Sequence, residues 1–146
     1  MNKFLRKLLL SCALVAFVFT SNISYSQLSV NATVTPTQLA QSLVGGGLTI
    51  SNIQLNCPIG GYGSFDATSA NVGIPQGVLL TSGNLASTLG PNDEGGAGID
   101  NFGAGDPQLD GLIPGFQTFD ACVLEFDVTV ISDTLKFNYV FGSEEY

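Results

Sequence analysis

The sequence predicts an all-β protein, an antiparallel β-sandwich of the jelly-roll type with one short N-terminal helix. The first observation is that short runs rich in β-branched and aromatic residues recur along the chain, separated by Gly, Pro, Asn and Asp. The second is that the longest run alternates apolar and polar residues, the period of a strand with one buried face. The predicted strands are residues 48–55, 63–67, 77–81, 122–131 and 135–141.

The one predicted helix precedes these strands. Thr35 can cap a helix with its hydroxyl group, and Pro36 suits the first helical position, where a missing N–H costs nothing. Glycines at positions 45–47 then end the pattern. The sequence therefore predicts a helix within residues 35–44.

The last two predicted strands carry the clearest alternation. The even-numbered residues from Leu124 to Val130 are apolar and share one face, and the odd-numbered residues between them are polar. Residues 132–134 then turn the chain, so we expect residues 135–141 to pair antiparallel with residues 122–131. A sandwich would bury both apolar faces. Because the face of residues 135–141 needs a cover, we expect the domain to be incomplete at Tyr146.

Residues 1–26 have the parts of a secretory signal peptide, with a basic start, an apolar stretch over residues 8–19 and a small-x-small cleavage site ending at Ser26. The alternatives are a transmembrane anchor, for which the apolar stretch is shorter than the roughly 18–20 residues required, and a lipoprotein signal at Cys12. We predict export, a β domain over residues 27–146 and no membrane span after cleavage.

Loss of this leader would make the chain strongly acidic. Three of the four cations leave with it and all twelve acids stay, so Lys136 is the only cation and the net charge is −11. Such a surface cannot neutralise phosphates, which argues against nucleic acid as a partner. Divalent cations are the natural counter-charge, although acidity can also serve solubility alone.

Two cysteines remain after cleavage, Cys57 and Cys122, and an even number in an oxidising compartment predicts a disulfide between them. The alternative is two buried free thiols that pack as small hydrophobic side chains.

A loop over residues 87–119 interrupts the strands and is rich in glycine and acids. Loops of this length in compact domains are usually functional or disordered. Calcium accepts oxygens from carboxylates and backbone carbonyls, both of which this loop supplies, but solvated loop carboxylates are the alternative. The candidate calcium ligands are Asp93, Glu94, Asp100, Asp106 and Asp110.

Enzymatic function is not predicted. The chain has no histidine, which excludes histidine-dependent nucleophiles and histidine zinc sites. Glycoside hydrolysis needs only two carboxylates, and these could come from Glu125, Asp127, Glu144 and Glu145, but the chain has no Trp for sugar stacking.

Three segments near the end carry a family resemblance: residues 123–127, residues 132–135 and residues 139–146, which end in Gly-Ser-Glu-Glu-Tyr. Together with residues 77–84, 90–92 and 105–110 in the same order, they make the chain similar to the bacterial choice-of-anchor L domain family. The resemblance implies export and display on a cell surface. It also marks Glu144 and Glu145 as typical residues, either binding a cation or a backbone turn or simply charging a strand end.

The function expected from these observations is a secreted or cell-surface module with a structural or adhesive role, non-catalytic and calcium-stabilised. Its expected partner is an extracellular protein or glycan. The alternative is a carbohydrate-active enzyme or glycan-binding module that uses paired carboxylates.

Overall fold

A computed structural model describes residues 28–92, 94–131 and 133–143. The predicted leader lies outside these residues, as do Asp93, Glu144 and Glu145. The described elements follow the order β1, α1, β2, β3, β4, a 3₁₀ helix, α2 and β5. Their bounds are Ser29–Asn31, Pro36–Leu43, Leu48–Asn56, Tyr62–Asp66, Gln76–Leu80, Leu85–Leu89, Pro107–Asp110 and Val123–Val130.

The strands form two antiparallel sheets and no barrel within the described residues. One sheet has the order β1-β3-β4, and the other pairs β2 with β5. These sheets confirm the all-β class and the antiparallel pairing, whereas the face-to-face packing of a sandwich stays a prediction. Within the described ranges, none of the helices is both long and apolar enough to cross a membrane.

The β2–β5 pair contains a bulge that the apolar pattern of β2 requires. Ser51 pairs with Asp127 and Gln54 with Glu125, so two residues of β2 lie opposite the single residue Phe126. Asn52 has φ of 52° there, a left-handed conformation that asparagine tolerates better than most residues. The extra residue shifts the alternation of β2 by one position. Its half-buried apolar residues are therefore even-numbered before the bulge and odd-numbered after it. These are Leu48, Ile50, Ile53 and Leu55.

Helix α1 links the two sheets. Thr35 is its N-cap and accepts the backbone N–H of Gln38, while the Gln38 side chain accepts the backbone N–H of Thr35. The helix contacts β2 and β5 on one side and β4 of the other sheet. Its buried residues Leu39 and Ala40 are half of the buried apolar core among the described residues, which Ala67 and Leu85 complete. Burial this limited leaves the fold dependent on cross-links and loop hydrogen bonds.

The predicted pairing of residues 135–141 with residues 122–131 is wrong for this structure. Residues 134–143 form no strand, and β5 pairs with β2 instead. Period-2 alternation identifies which side chains share a face but not which strand lies alongside. Residues 132–134 also lack the Asn-Gly or Gly residues that favour a tight hairpin turn.

Three short elements were not predicted. Strand β1 has only three residues and precedes the first predicted element, the helix within residues 35–44. The 3₁₀ helix and α2 lie in or beside the loop predicted to be irregular, so the helix at residues 35–44 is not the only one. Asn84 caps the 3₁₀ helix and Asp106 caps α2, each by a side chain that accepts backbone N–H groups.

Candidate functional site

Two chain segments, residues 103–106 and residues 118–121, run side by side and hold the loop over residues 87–119 in place. The Asp120 N–H donates to the Gly103 carbonyl oxygen at 3.2 Å, and the Ala121 N–H donates to the Ala104 carbonyl oxygen at 3.1 Å. Further along, the Asp106 N–H donates to the Thr118 hydroxyl oxygen at 2.9 Å. These bonds fix the middle of the loop against the segment that leads into β5.

Asp120 fastens the two segments with its side chain. The residue is only 6% exposed, and its carboxylate accepts the N–H of Asn101 at 2.9 Å through Oδ2 and the N–H of Gly103 through Oδ1. Hydrogen bonds to a charged acceptor are about twice as strong as neutral ones. Between these two donors, Phe102 adopts φ of 57°, which is unusual for a bulky residue. The carboxylate therefore stabilises a strained turn that projects Phe102 outward.

Two glycines permit this close approach. A Cβ atom at Gly105 would overlap the backbone carbonyl group of Thr118, and one at Gly103 would overlap the ring of Pro58. Each added Cβ atom would lie well inside van der Waals distance of its neighbour. At Gly105 that neighbour is backbone, which cannot move aside. Glycine is required at Gly105 for the loop to close in this form.

An open cleft of about 460 Å³ lies on this loop, lined by residues 102–105, 107, 110 and 117–119, and is called the aromatic cleft below. Phe102 is 92% exposed and Phe119 is 73% exposed. Asp110 supplies a carboxylate to the same lining. Covering either ring would be favourable by roughly 1.5–3 kcal/mol. Phe116, Phe137 and Phe141 are exposed to a similar degree elsewhere in the described residues.

Thr118 holds the Asp110 carboxylate in its charged form. The Thr118 N–H donates to Asp110 Oδ1 at 2.6 Å and the Thr118 hydroxyl donates to the same oxygen at 2.7 Å. These two bonds, the backbone one first, lower the pKa of Asp110 below its ordinary value of 3.8. Both bonds end on Oδ1, so Thr118 does not use the second carboxylate oxygen.

The pKa of Asp110, measured by side-chain carboxyl NMR over an acid titration, is expected to lie below 3.8. Because the folded pKa is depressed, the stabilising contribution of these bonds is present above the ordinary pKa and is lost as pH falls through the lowered one. Thr118→Val removes the hydroxyl donor and keeps the backbone N–H, so it should raise the pKa of Asp110 part of the way back.

Asp66 provides the matched control. Thr68 donates to it through hydroxyl and backbone N–H and likewise lowers its pKa. Thr118→Val should leave the Asp66 titration unchanged, and Thr68→Val should raise the pKa of Asp66 alone. An Asp110 pKa at or above 3.8 in the wild-type protein would contradict the assigned bonds.

The four predicted calcium ligands that the structure describes do not converge on one site. Glu94 and Asp100 are exposed on irregular backbone, Asp106 caps α2 and Asp110 is bonded to Thr118. Over residues 28–143, with 93 and 132 excepted, no three His, Cys, Asp or Glu side chains form a group that could hold a metal ion. Calcium binding therefore stays a prediction.

Two of the predicted paired carboxylates share one surface. Glu125 and Asp127 lie on the exposed face of β5 and, with Asn52 and Gln54 of β2, line a shallow depression of about 380 Å³. Asn52 Nδ2 donates to Asp127 Oδ2 at 2.5 Å. The bulge at Asn52 thus brings an amide to the acids, a feature that the sequence could have indicated through the Ile50-to-Ile53 spacing.

The predicted disulfide is confirmed. Cys57 and Cys122 are joined across a sequence separation of 65 residues. Each cysteine directly adjoins the Asn56↔Val123 end of the β2–β5 ladder. The bond therefore closes the ladder at the end nearest the loop and positions the adjoining segment that contains Asp120.

Comparison with known proteins gives one match. The family model described as "Choice-of-anchor L domain" matches residues 27–146. No curated protein and no solved structure matches the chain. The match covers both sheets, the aromatic cleft and the disulfide.

Proposed function

Because the chain belongs to the choice-of-anchor L domain family, we propose that it is a non-catalytic bacterial module, secreted or displayed on the cell surface, with a structural or adhesive role. The family match is the observation that carries the proposal. The Cys57–Cys122 disulfide supports it, since such bonds persist mainly outside the reducing cytoplasm. The acidic composition is consistent with an exported, soluble surface.

Export is tested by fractionating the source bacterium and identifying the N-terminus of the protein. The expected product starts at Gln27 and is found outside the cytoplasm, where an added protease or membrane-impermeant label reaches it. Protein with an intact leader confined to the cytosol would overturn the proposal. A variant that combines Lys3→Glu, Arg6→Glu and Lys7→Glu should stay inside the cell, because the basic start of a signal peptide directs its export.

Adhesion is tested separately with beads that carry the exported protein. Beads should aggregate or bind to cells of the same bacterium, and beads with the heat-denatured protein should not. A purely structural module needs only to be present outside the cell and need not bind other cells. Bead binding therefore distinguishes an adhesive module from a purely structural one.

Calcium stabilisation belongs to the same proposal. Asp93, Glu94, Asp100, Asp106 and Asp110 lie in a glycine-rich loop that can add backbone carbonyl ligands, and the mature charge of −11 favours a divalent counter-ion. Millimolar Ca²⁺ should raise the melting temperature more than Mg²⁺ does, and Asp100→Asn should reduce the difference. An identical melting temperature with Ca²⁺ and with chelator would remove the ion from the proposal.

A second candidate function is glycan binding at the depression that contains Glu125 and Asp127. The observation that favours it is the convergence of two carboxylates with Asn52 and Gln54 on one exposed face, since sugar hydroxyls are bound by such groups. A glycan array should show binding that Glu125→Gln with Asp127→Asn abolishes. Release of reducing ends by the wild type but not by this variant would make the module an enzyme.

A further inference from the structure

The aromatic cleft has the chemistry of a receptor for a cation on an apolar stem. The exposed rings of Phe102 and Phe119 can attract a cation over their faces, within about 6 Å of the ring centre. Asp110 adds a full negative charge to the same lining, and the bonds from Thr118 leave its Oδ2 oxygen for another donor. A lysine side chain combines the required ammonium group with a four-carbon apolar stem.

The described residues contain one such group. Lys136 is exposed and is the only lysine or arginine among them. The rings of Phe137 and Tyr139 stack with centroids 5.8 Å apart, so these alternate residues share one side of the chain. Lys136 directly precedes this stacked pair, and its own side chain is exposed.

The segment that carries Lys136 is available for contact. Residues 133–143 are all exposed and form no strand ladder with the described sheets. Lys136 can therefore enter a groove without breaking a strand ladder. Its charge is complementary to a surface on which nine of the ten charged side chains within the described residues are acidic.

We infer that the aromatic cleft receives Lys136 from a second copy of this chain, with its ammonium group against Asp110 and its stem between Phe102 and Phe119. A two-fold arrangement makes the contact twice, because each copy offers both the cleft and the lysine. The inference concerns association in solution and does not rest on the proposed surface role.

The resulting dimer is weak. The attraction of a cation to an exposed aromatic ring is modest, and the acidic remainder of the two surfaces repels. Contacts limited to a side chain and a cleft fall well below the area of a stable interface. We expect a dissociation constant of about 0.1 to 1 mM, and further weakening of the dimer as salt screens the ion pair.

Sedimentation equilibrium of the exported protein over a wide range of concentrations tests the inference. The wild type should show a reversible monomer–dimer equilibrium, and Lys136→Glu and Asp110→Lys should each weaken it by at least about tenfold. Lys136→Arg should keep it. Glu125→Lys is the matched control, because it introduces the same charge change as Asp110→Lys on an exposed acid that does not line the cleft.

Mixing the two disrupted variants gives the sharpest result. In a mixed dimer, the glutamate introduced by Lys136→Glu would meet the lysine introduced by Asp110→Lys at one contact, and the natural Lys136 and Asp110 would meet at the other. The mixture should therefore dimerise more strongly than either variant alone. This recovery would not occur if Lys136 bound the cleft of its own chain.

Several outcomes would overturn the inference. They are a monomer at every concentration, equal weakening by Glu125→Lys, or no recovery in the mixture of folded variants. A monomer whose cleft binds a glycan or an unrelated peptide would assign the cleft to another occupant. If Asp110→Lys does not fold, Phe119→Ala and Lys136→Glu carry the test, since both side chains are exposed and each should weaken the dimer without lowering the melting temperature.

Discussion

Loss of the Cys57–Cys122 disulfide is expected to lower the free energy of unfolding by about 4 kcal/mol. A cross-link over 65 residues removes chain entropy from the unfolded state, and the loop-entropy relation gives this value. Four apolar side chains are buried in the described part of the fold, so packing there contributes little against the entropy of ordering the chain. The disulfide therefore represents a large share of a total that is typically about 5–15 kcal/mol.

Denaturant titration of the exported protein, oxidised and then reduced, measures this loss. Cys57→Ser with Cys122→Ser should match the reduced wild type and should not respond to reductant, which controls for effects of the reagent itself. A single Cys57→Ser variant separates the loss of the bond from the presence of a free thiol at Cys122. Equal unfolding midpoints for oxidised and reduced protein would contradict the assigned role of the bond.

Asp120→Ala is expected to lower the free energy of unfolding by about 3 kcal/mol. The change leaves the N–H groups of Asn101 and Gly103 without their acceptor, and each unsatisfied buried donor costs roughly 1–3 kcal/mol. Residue 120 has φ of 51°, which alanine tolerates less well than aspartate. The two lost bonds together would cost roughly 2–6 kcal/mol. Entry of water and relaxation of the loop reduce this cost, so we expect a value in the lower half of that range.

Hydrogen exchange locates the effect. The amides of Asn101 and Gly103 should lose protection from exchange in Asp120→Ala. The amides of the β2–β5 ladder should lose protection only to the extent that the global free energy of unfolding falls. Asp120→Asn keeps the shape but replaces one acceptor by a donor, and it should fall between wild type and alanine. Asp133→Asn is the matched control, since Asp133 is exposed and lies outside the loop. Unchanged protection in Asp120→Ala would show that other contacts hold the loop.

Sequence patterns gave correct predictions where the structural feature depends on residue type and on close neighbours in the sequence. Thr35 and Pro36 mark a helix start because capping depends on neighbouring residues alone, and the structure has them as the N-cap and first residue of α1. The alternation in β5 also holds, with its even-numbered apolar residues partly buried as far as Val128 and with Glu125 and Asp127 exposed. The cysteine pair followed from count and compartment.

The features of the candidate site were not predicted, because each depends on residues far apart in sequence. Asp120 looked like any polar loop residue until the fold placed it against Asn101 and Gly103. The sequence has no Trp for sugar stacking, yet the strained turn at Phe102 and the position of Phe119 place two exposed rings at one cleft. The sequence feature that could have indicated this cleft is a phenylalanine within a glycine-rich, acidic loop.

By itself the sequence determined the strand-rich class, the family, the disulfide partners and the acidic charge, since these depend on residue type, short-range spacing and number. Only the tertiary structure decided that β2 lies beside β5, that a bulge at Asn52 absorbs the shifted apolar pattern, and that Asp120 and the two glycines close the loop. Strand pairing and loop closure bring together residues tens of positions apart. Their free energies depend on register and contact geometry, which no local pattern encodes.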